Sequence, residues 1–111
     1  IKKPKVALLS FSTFGSPEHE RSNVVREAVK LLDERDIDFE YDGEMAADIA
    51  LNSNLMELYP FCRLSGPANV LIMPSLLAAN ISFKLCLVST LHIFHQKFYR
   101  NWGGELWLVL F

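Results

Sequence analysis

Residues 70–85 read VLIMPSLLAANISFKL, and this stretch decides the fold. An unbroken apolar run stops at Pro74. A serine follows, and then apolar residues recur at helical spacing. The run reads as a strand over residues 69–73, buried on both faces. Ser75 is a good N-cap for the next helix, whose inner face reads as Leu76, Ala79, Phe83 and Leu87. A buried strand handed over to a helix in this way is the joint of a parallel sheet.

Working outward, KVALLSF (5–11) is a second apolar run and reads as a buried strand. The polar loop after it holds Ser10, Ser12, Thr13, Gly15 and Ser16. Ser16 fits an N-cap, Pro17 the first helical position, and Glu18 and Glu20 the positive end of the helix dipole. Val25, Val29 and Leu32 stand at i, i+4 and i+7, with Val24, Ala28 and Leu31 beside them. The spacing predicts an amphipathic helix ending near Arg35. IDFEYD (37–42) alternates strictly. It predicts a strand near a sheet edge with Ile37, Phe39 and Tyr41 on one face, followed by a turn at Asp42 and Gly43. A short helix over 44–51, a break at Asn52, Ser53 and Asn54, and a helical turn over 55–59 come next. The order β-α-β-α-β-α predicts an α/β fold with a largely parallel sheet. Ligands of such sheets bind beyond the carboxyl ends of strands. Here those ends are residues 10–16 and 74–80.

The 111 residues suit one small domain. Half are apolar and the formal net charge is −2, which gives no electrostatic case for nucleic acid. Cys62 and Cys86 stand far apart in no C-x-x-C pattern, so a reduced, cytoplasmic setting is expected. No run reaches the roughly 18 apolar residues of a membrane helix. The opening IKKPK lacks a methionine, so the chain reads as a piece of a longer product.

Four strings carry a resemblance: FSTFGS (11–16), DGEMAADIAL (42–51), YPFCRLSGPANVLIMP (59–74) and AANISFKL (78–85). Together they resemble the phosphate acetyl/butyryltransferase family. DGEM-x-AD and YPF-x-RL-x-GPANVL-x-MP are similar to its branch in the C-terminal domain of bacterial NADP-dependent malic enzymes. True phosphotransacetylases tend to read DGP-x-Q-x-D and G-x-ANVL-x-FP. The likeness covers residues 3–85. It implies a three-layer, parallel-sheet fold of the isocitrate/isopropylmalate dehydrogenase type, present here in part, and a ligand of the acetyl-CoA, CoA or phosphate kind. It implies no prosthetic group, and a parent protein that is a homo-oligomer. In the metal-dependent relatives two aspartates stand four apart on the helix after the third strand. Asn80 and Lys84 occupy those positions here, on one helix face. An amide and an ammonium suit an anion and not a divalent cation. Ser12, Thr13 and Ser16, ahead of a helix, complete the anion or CoA site that the sequence suggests. Capping explains Ser16 equally well, and solvation explains Lys84.

The family's serine–arginine motif, in a string like L-S-R-G-x-x-x-x-D-I, is not in this chain. The only arginine after residue 85 is Arg100, in FYRNW. The resemblance therefore implies a regulatory or assembly segment of malic-enzyme type, without acyl transfer of its own. A segment of a genuine phosphate acetyltransferase, or a small flavodoxin-like binding module, are the alternatives. Residues 1–85 hold twelve of the thirteen acidic residues, and residues 86–111 hold six of the thirteen aromatics. That step marks residues 86–111 as a divergent or frameshifted tail whose LWLVLF end is an aggregation hazard if exposed. His92 and His95 lack acidic or cysteine partners and do not read as a metal site. Residues 33–42 read as a solvated acidic face. Arg63 reads either as an anion contact or as part of a packing loop, and His19 as an exposed residue of the first helical turn.

Overall fold

A computed structural model describes residues 3–91 and 107–109. The elements in chain order are β1 (Lys5–Leu9), α1 (Glu20–Asp33), β2 (Glu40–Met45), α2 (Ala47–Leu51), α3 (Ser53–Met56), β3 (Val70–Ile72), α4 (Leu76–Leu91) and β4 (Trp107–Val109). The strands form one sheet in the order β2-β1-β3-β4, and every pairing is parallel. The expected α/β class and parallel sheet are thus present. A fourth strand drawn from the LWLVLF end pairs with β3.

Alternation along the strands builds two cores. Val6 and Leu8 of β1 face α1 and pack with Val25 and Val29. Ala7 and Leu9 point the other way, with Leu71, Met73, Met45, Ala50 and Ala79. Apolar residues on both faces of β1 and β3 explain the unbroken runs in the sequence and give three layers. Asn69 fixes the start of β3 against β1. Its side chain accepts from the Lys5 amide at 2.8 Å and donates to the Lys3 carbonyl at 3.1 Å.

Four sequence expectations need correction. First, α1 begins at Glu20, not Pro17, and its cap is His19, whose Nδ1 accepts from the Arg21 amide at 3.1 Å. Ser16 is held in a two-residue turn instead, with Thr13 N–H to Ser16 O and Ser16 N–H to Thr13 O both 3.1 Å. Second, the strand expected over 37–42 runs from Glu40 to Met45. Asp42 and Gly43 lie inside it and make no turn. A Cβ on Gly43 would stand 2.7 Å from the Leu8 carbonyl oxygen, so glycine is there for close approach of two strands. β2 does lie at the sheet edge, and Phe39 and Tyr41 do share a face against the α1 core.

Third, on α4 only Ala79 of the expected inner face is buried, while Leu76 is 69% and Phe83 50% exposed. Apolar residues flank the Asn80 and Lys84 face on both sides and continue around the helix, so periodicity cannot select a face. The side chain of Leu87 lies outside the described residues, as do His92 and His95. Fourth, residues 33–42 are not uniformly solvated. Asp42 is buried and bound to Arg63. Ser75 caps α4 as expected, its Oγ accepting from the Ala78 amide at 3.1 Å. The helix passes residue 85 without a break.

Candidate functional site

The carboxyl ends of β1 and β3 are neighbours whose chain connections leave in opposite directions. Sheets of this kind open a crevice at that point. A cleft of 560 Å³ lies there, lined by Leu9, Ser10, Phe11, Arg21, Val24, Ala47, Pro74, Ser75 and Ala78. The loop after β1 delivers Ser10 and Phe11, the first turn of α1 delivers Arg21, and the β3–α4 joint delivers Pro74 and Ser75. The walls are mostly apolar. The polar groups are one guanidinium and two hydroxyls, and no carboxylate lies within 4.0 Å of the Arg21 side chain among the described residues. Such a lining suits an anionic group joined to an apolar one.

A buried node supports this cleft. The pairing of β1 with β2 slips by one residue between Leu8 and Leu9, so that Glu44 bulges out of register. A bulge re-aims its side chain, and here it drives a carboxylate into the loop after β1. Glu44 has no exposed surface. It accepts from the Ser12 hydroxyl and from the Gly15 amide at 3.1 Å, and it pairs with Arg26 Nε at 3.5 Å. The main chain adds Phe14 N–H to Glu44 O at 2.8 Å and Ser10 N–H to Met45 O at 3.0 Å. Thr13 Oγ1 accepts from the Ala46 amide at 3.0 Å. The loop can take this shape because Phe14 and Gly15 both adopt positive φ, 49° and 88°.

A second node lies at the other end of the same strand. Arg63 donates its amide to Asp42 at 2.8 Å and its Nη1 to Asp33 at 2.9 Å. Its guanidinium carbon stands 4.9 Å from the centre of the Tyr41 ring. The Tyr41 hydroxyl donates to Asp33 at 2.6 Å. That bond, helped by Arg63, holds the Asp33 carboxyl below its usual range and pushes the Tyr41 phenol up. Arg63 is thus occupied by carboxylates of its own chain. Burial pushes the thiols of Cys62 and Cys86 up as well, away from the thiolate that nucleophilic chemistry needs.

The five residues suggested by the sequence fall on two surfaces. Ser12 and Thr13 are buried, their side chains bonded to Glu44 and to the Ala46 amide, and Ser16 is exposed on the same loop. Asn80 and Lys84 are exposed on α4. At about 100° per residue, they lie across the helix from Ala78, which lines the cleft. The structure does not bring the two groups together. Phe11, Arg21 and Ser75 line the cleft instead. Two strand ends in the sequence located this region, but a half-polar helix gave no signal that Arg21 would turn into it. Among the described residues no cluster of histidine, cysteine or carboxylate side chains could hold a metal ion, and no helix is long and apolar enough to cross a membrane.

Comparison with known proteins gives this geometry its family. The sequence profile of the phosphate acetyl/butaryl transferases matches residues 1–92. The chain belongs to that family. Among individual relatives, the NADP-dependent malic enzyme of Rhizobium meliloti is 67% identical over 82 residues, which is 74% of this chain and 11% of that protein. The phosphate acetyltransferase of Treponema pallidum is 44% identical over 87 residues, 76% of this chain and 26% of that protein. Among solved structures, EutD phosphotransacetylase from Staphylococcus aureus superposes with a TM-score of 0.69 at 42% identity, over 75% of this chain and 27% of that one. The chain therefore spans about a tenth of the malic enzymes and about a quarter of the transferases that it resembles. For a member of the phosphate acetyl/butaryl transferase family, the FSTFGS and DGEM strings have a clear structural use. They meet at Glu44. The YPFCRL string meets the same strand at Asp42.

Proposed function

We propose that this chain is a phosphotransacetylase-like segment of malic-enzyme type that binds a coenzyme A-type ligand and does not itself transfer the acyl group. The cleft at the ends of β1 and β3 carries this reading. It offers Arg21 and two hydroxyls to phosphate oxygens and apolar walls to the rest of the ligand. Thiolate attack on an acyl phosphate needs a group to take the thiol proton and several donors for the developing charge. Among the described residues the cleft lining contains no imidazole, carboxylate or amine, and a single guanidinium. Its chemistry is binding and orientation. The 67% identity to a malic enzyme, against 44% to a phosphate acetyltransferase, supports the malic-enzyme branch. In this reading the segment serves assembly and acetyl-CoA response in a cytoplasmic homo-oligomer. Asn80 and Lys84 face outward from α4 and offer a second, solvent-exposed contact for a long anionic ligand.

A genuine acyltransferase segment is the second reading, favoured by the superposition on EutD phosphotransacetylase. A flavodoxin-like module has the same run of strands, but the match of residues 1–92 to the transferase family weighs against it. One assay separates the first two. Purified chain is mixed with acetyl-CoA and phosphate. Free thiol and acetyl phosphate are followed, and binding of CoA is measured by calorimetry. Binding without turnover is expected; turnover above a protein-free control would overturn the proposal.

A further inference from the structure

His19 joins the apolar wall of the cleft to its one cation. Its Nδ1 accepts from the Arg21 amide at 3.1 Å, and its ring meets the Phe11 ring edge-on with centroids 5.3 Å apart. Phe11 and Arg21 both line the cleft. The His19 carbonyl also accepts from Ser22 Oγ and from the Asn23 amide, each at 2.9 Å, so the backbone of this residue is anchored. We propose that His19 is a positioning residue whose neutral form builds the cleft and whose protonation loosens it, making ligand affinity sensitive to pH. The ligand part of this proposal rests on the CoA-type reading above; the coupling of His19 to Arg21 and Phe11 does not.

The chemistry follows from the two nitrogens of imidazole. In the neutral ring with the proton on Nε2, Nδ1 is an acceptor; in the cation both nitrogens are donors. Protonation therefore turns an N-cap bond into two opposed N–H groups. It also places positive charge at the positive end of the α1 dipole. Imidazole is the side chain that makes this change between pH 5 and 8. The charged neighbours are few. Residues 10–16, which pack on His19 through Phe11, hold no ionisable side chain, and neither do Pro74, Ser75 and Ala78 across the cleft. On its own segment His19 is flanked by Glu18, Glu20 and Arg21. Glu18 reaches toward Arg26 at 4.0 Å.

The test uses the whole chain and dephospho-coenzyme A, whose pyrophosphate diester keeps its charge over the range used. Affinity is measured from pH 5.5 to 8, alongside proton–nitrogen NMR of the Arg21 amide and proton–carbon NMR of the Phe11 ring. Affinity is expected to fall by about threefold toward low pH, because losing the cap on Arg21 outweighs the screened attraction that an exposed imidazolium adds for the anion. The Arg21 and Phe11 signals are expected to move with the His19 titration. His19→Asn keeps a capping side chain that does not titrate but gives up the ring contact with Phe11, so its affinity is expected to be lower than that of the neutral protein and independent of pH. A structural role alone would leave no pH dependence for that variant to remove. Affinity that rises or stays level toward low pH, or Arg21 and Phe11 signals that ignore His19, overturns the proposal. If dephospho-coenzyme A does not bind at any pH while those signals do follow His19, the coupling stands and the CoA reading falls.

Discussion

The hydroxyl of Ser12 donates to the carboxylate of Glu44, and neither side chain has any exposed surface. Two family strings, joined by residues thirty-two apart in the chain, are thereby fixed to one another. Removing the carboxylate leaves the Ser12 hydroxyl and the Gly15 amide without their acceptor and Arg26 without its buried partner. Each unmade buried bond costs about 1–3 kcal/mol. Glu44→Ala is therefore expected to lower unfolding free energy by about 3 kcal/mol, a large share of the total for a domain this small. Urea denaturation measures it. A loss below about 1 kcal/mol would show that the node is not what holds the loop.

Gly43 makes a sharper steric prediction. An added Cβ would meet the Leu8 carbonyl oxygen at 2.7 Å and the Leu8 Cβ at 2.9 Å. Both belong to the central strand and have no room to move. At Gly15 the same addition meets only the end of the Arg26 side chain, at 3.3 Å, although φ is 88°. Gly43→Ala is expected to cost about 2–4 kcal/mol and Gly15→Ala about 1–2. Equal urea midpoints for the two variants would contradict the close-approach account.

Acid response should centre on Asp33. Its carboxyl is held low by the Tyr41 hydroxyl and then by Arg63. A group whose folded pKa is depressed contributes stability that is present above its unfolded value, near 3.9. That contribution disappears as pH falls through the lower folded value. The Tyr41 phenol is pushed up, so its contribution is complete below the ordinary phenol value and is lost at high pH. Contact among Asp33, Tyr41 and Arg63 should thus persist across the neutral range and open at both extremes. Carboxyl carbon NMR of Asp33 reads the acid limb. In Tyr41→Phe the Asp33 titration should move upward, and an unchanged titration would remove Tyr41 as its main cause.

Much of the fold was legible because its signals are local. Unbroken apolar runs at 6–9 and 70–73 mark strands covered on both faces, and the Ser75 cap sits beside one of them. The errors came where a distant partner decides the backbone. Asp42 and Gly43 have turn chemistry, but Arg63 and Leu8 hold them in a strand. Ser16 has capping chemistry, but Thr13 and Glu44 hold its loop one turn away from the helix. On α4 apolar residues flank the Asn80 and Lys84 face on both sides and continue around the helix, so no periodicity could say that Ala79 and not Leu76 is buried. Glu44 carried no signal of its own. A buried carboxylate looks like any surface glutamate until the bulge that aims it is known.

The two possible ligand contacts can be separated by paired substitutions. Arg21 lines the cleft, whereas Lys84 is exposed on α4, with its ammonium 5.9 Å from the centre of its neighbour Phe83. Both side chains are accessible, and neither takes part in an ion pair among the described residues. Replacing either should leave the fold intact, with stability within about 0.5 kcal/mol of the parent. A hydrogen bond from a charged donor to phosphate is worth about 1.5–3 kcal/mol. Arg21→Gln is therefore expected to weaken coenzyme A binding by at least about tenfold. Lys84→Gln is expected to change it by less than about threefold, and to lose that effect in high salt as exposed charges do. The reverse order would move the anion contact from the cleft to the outer face of α4. Asn80, one turn before Lys84, would then be its natural partner.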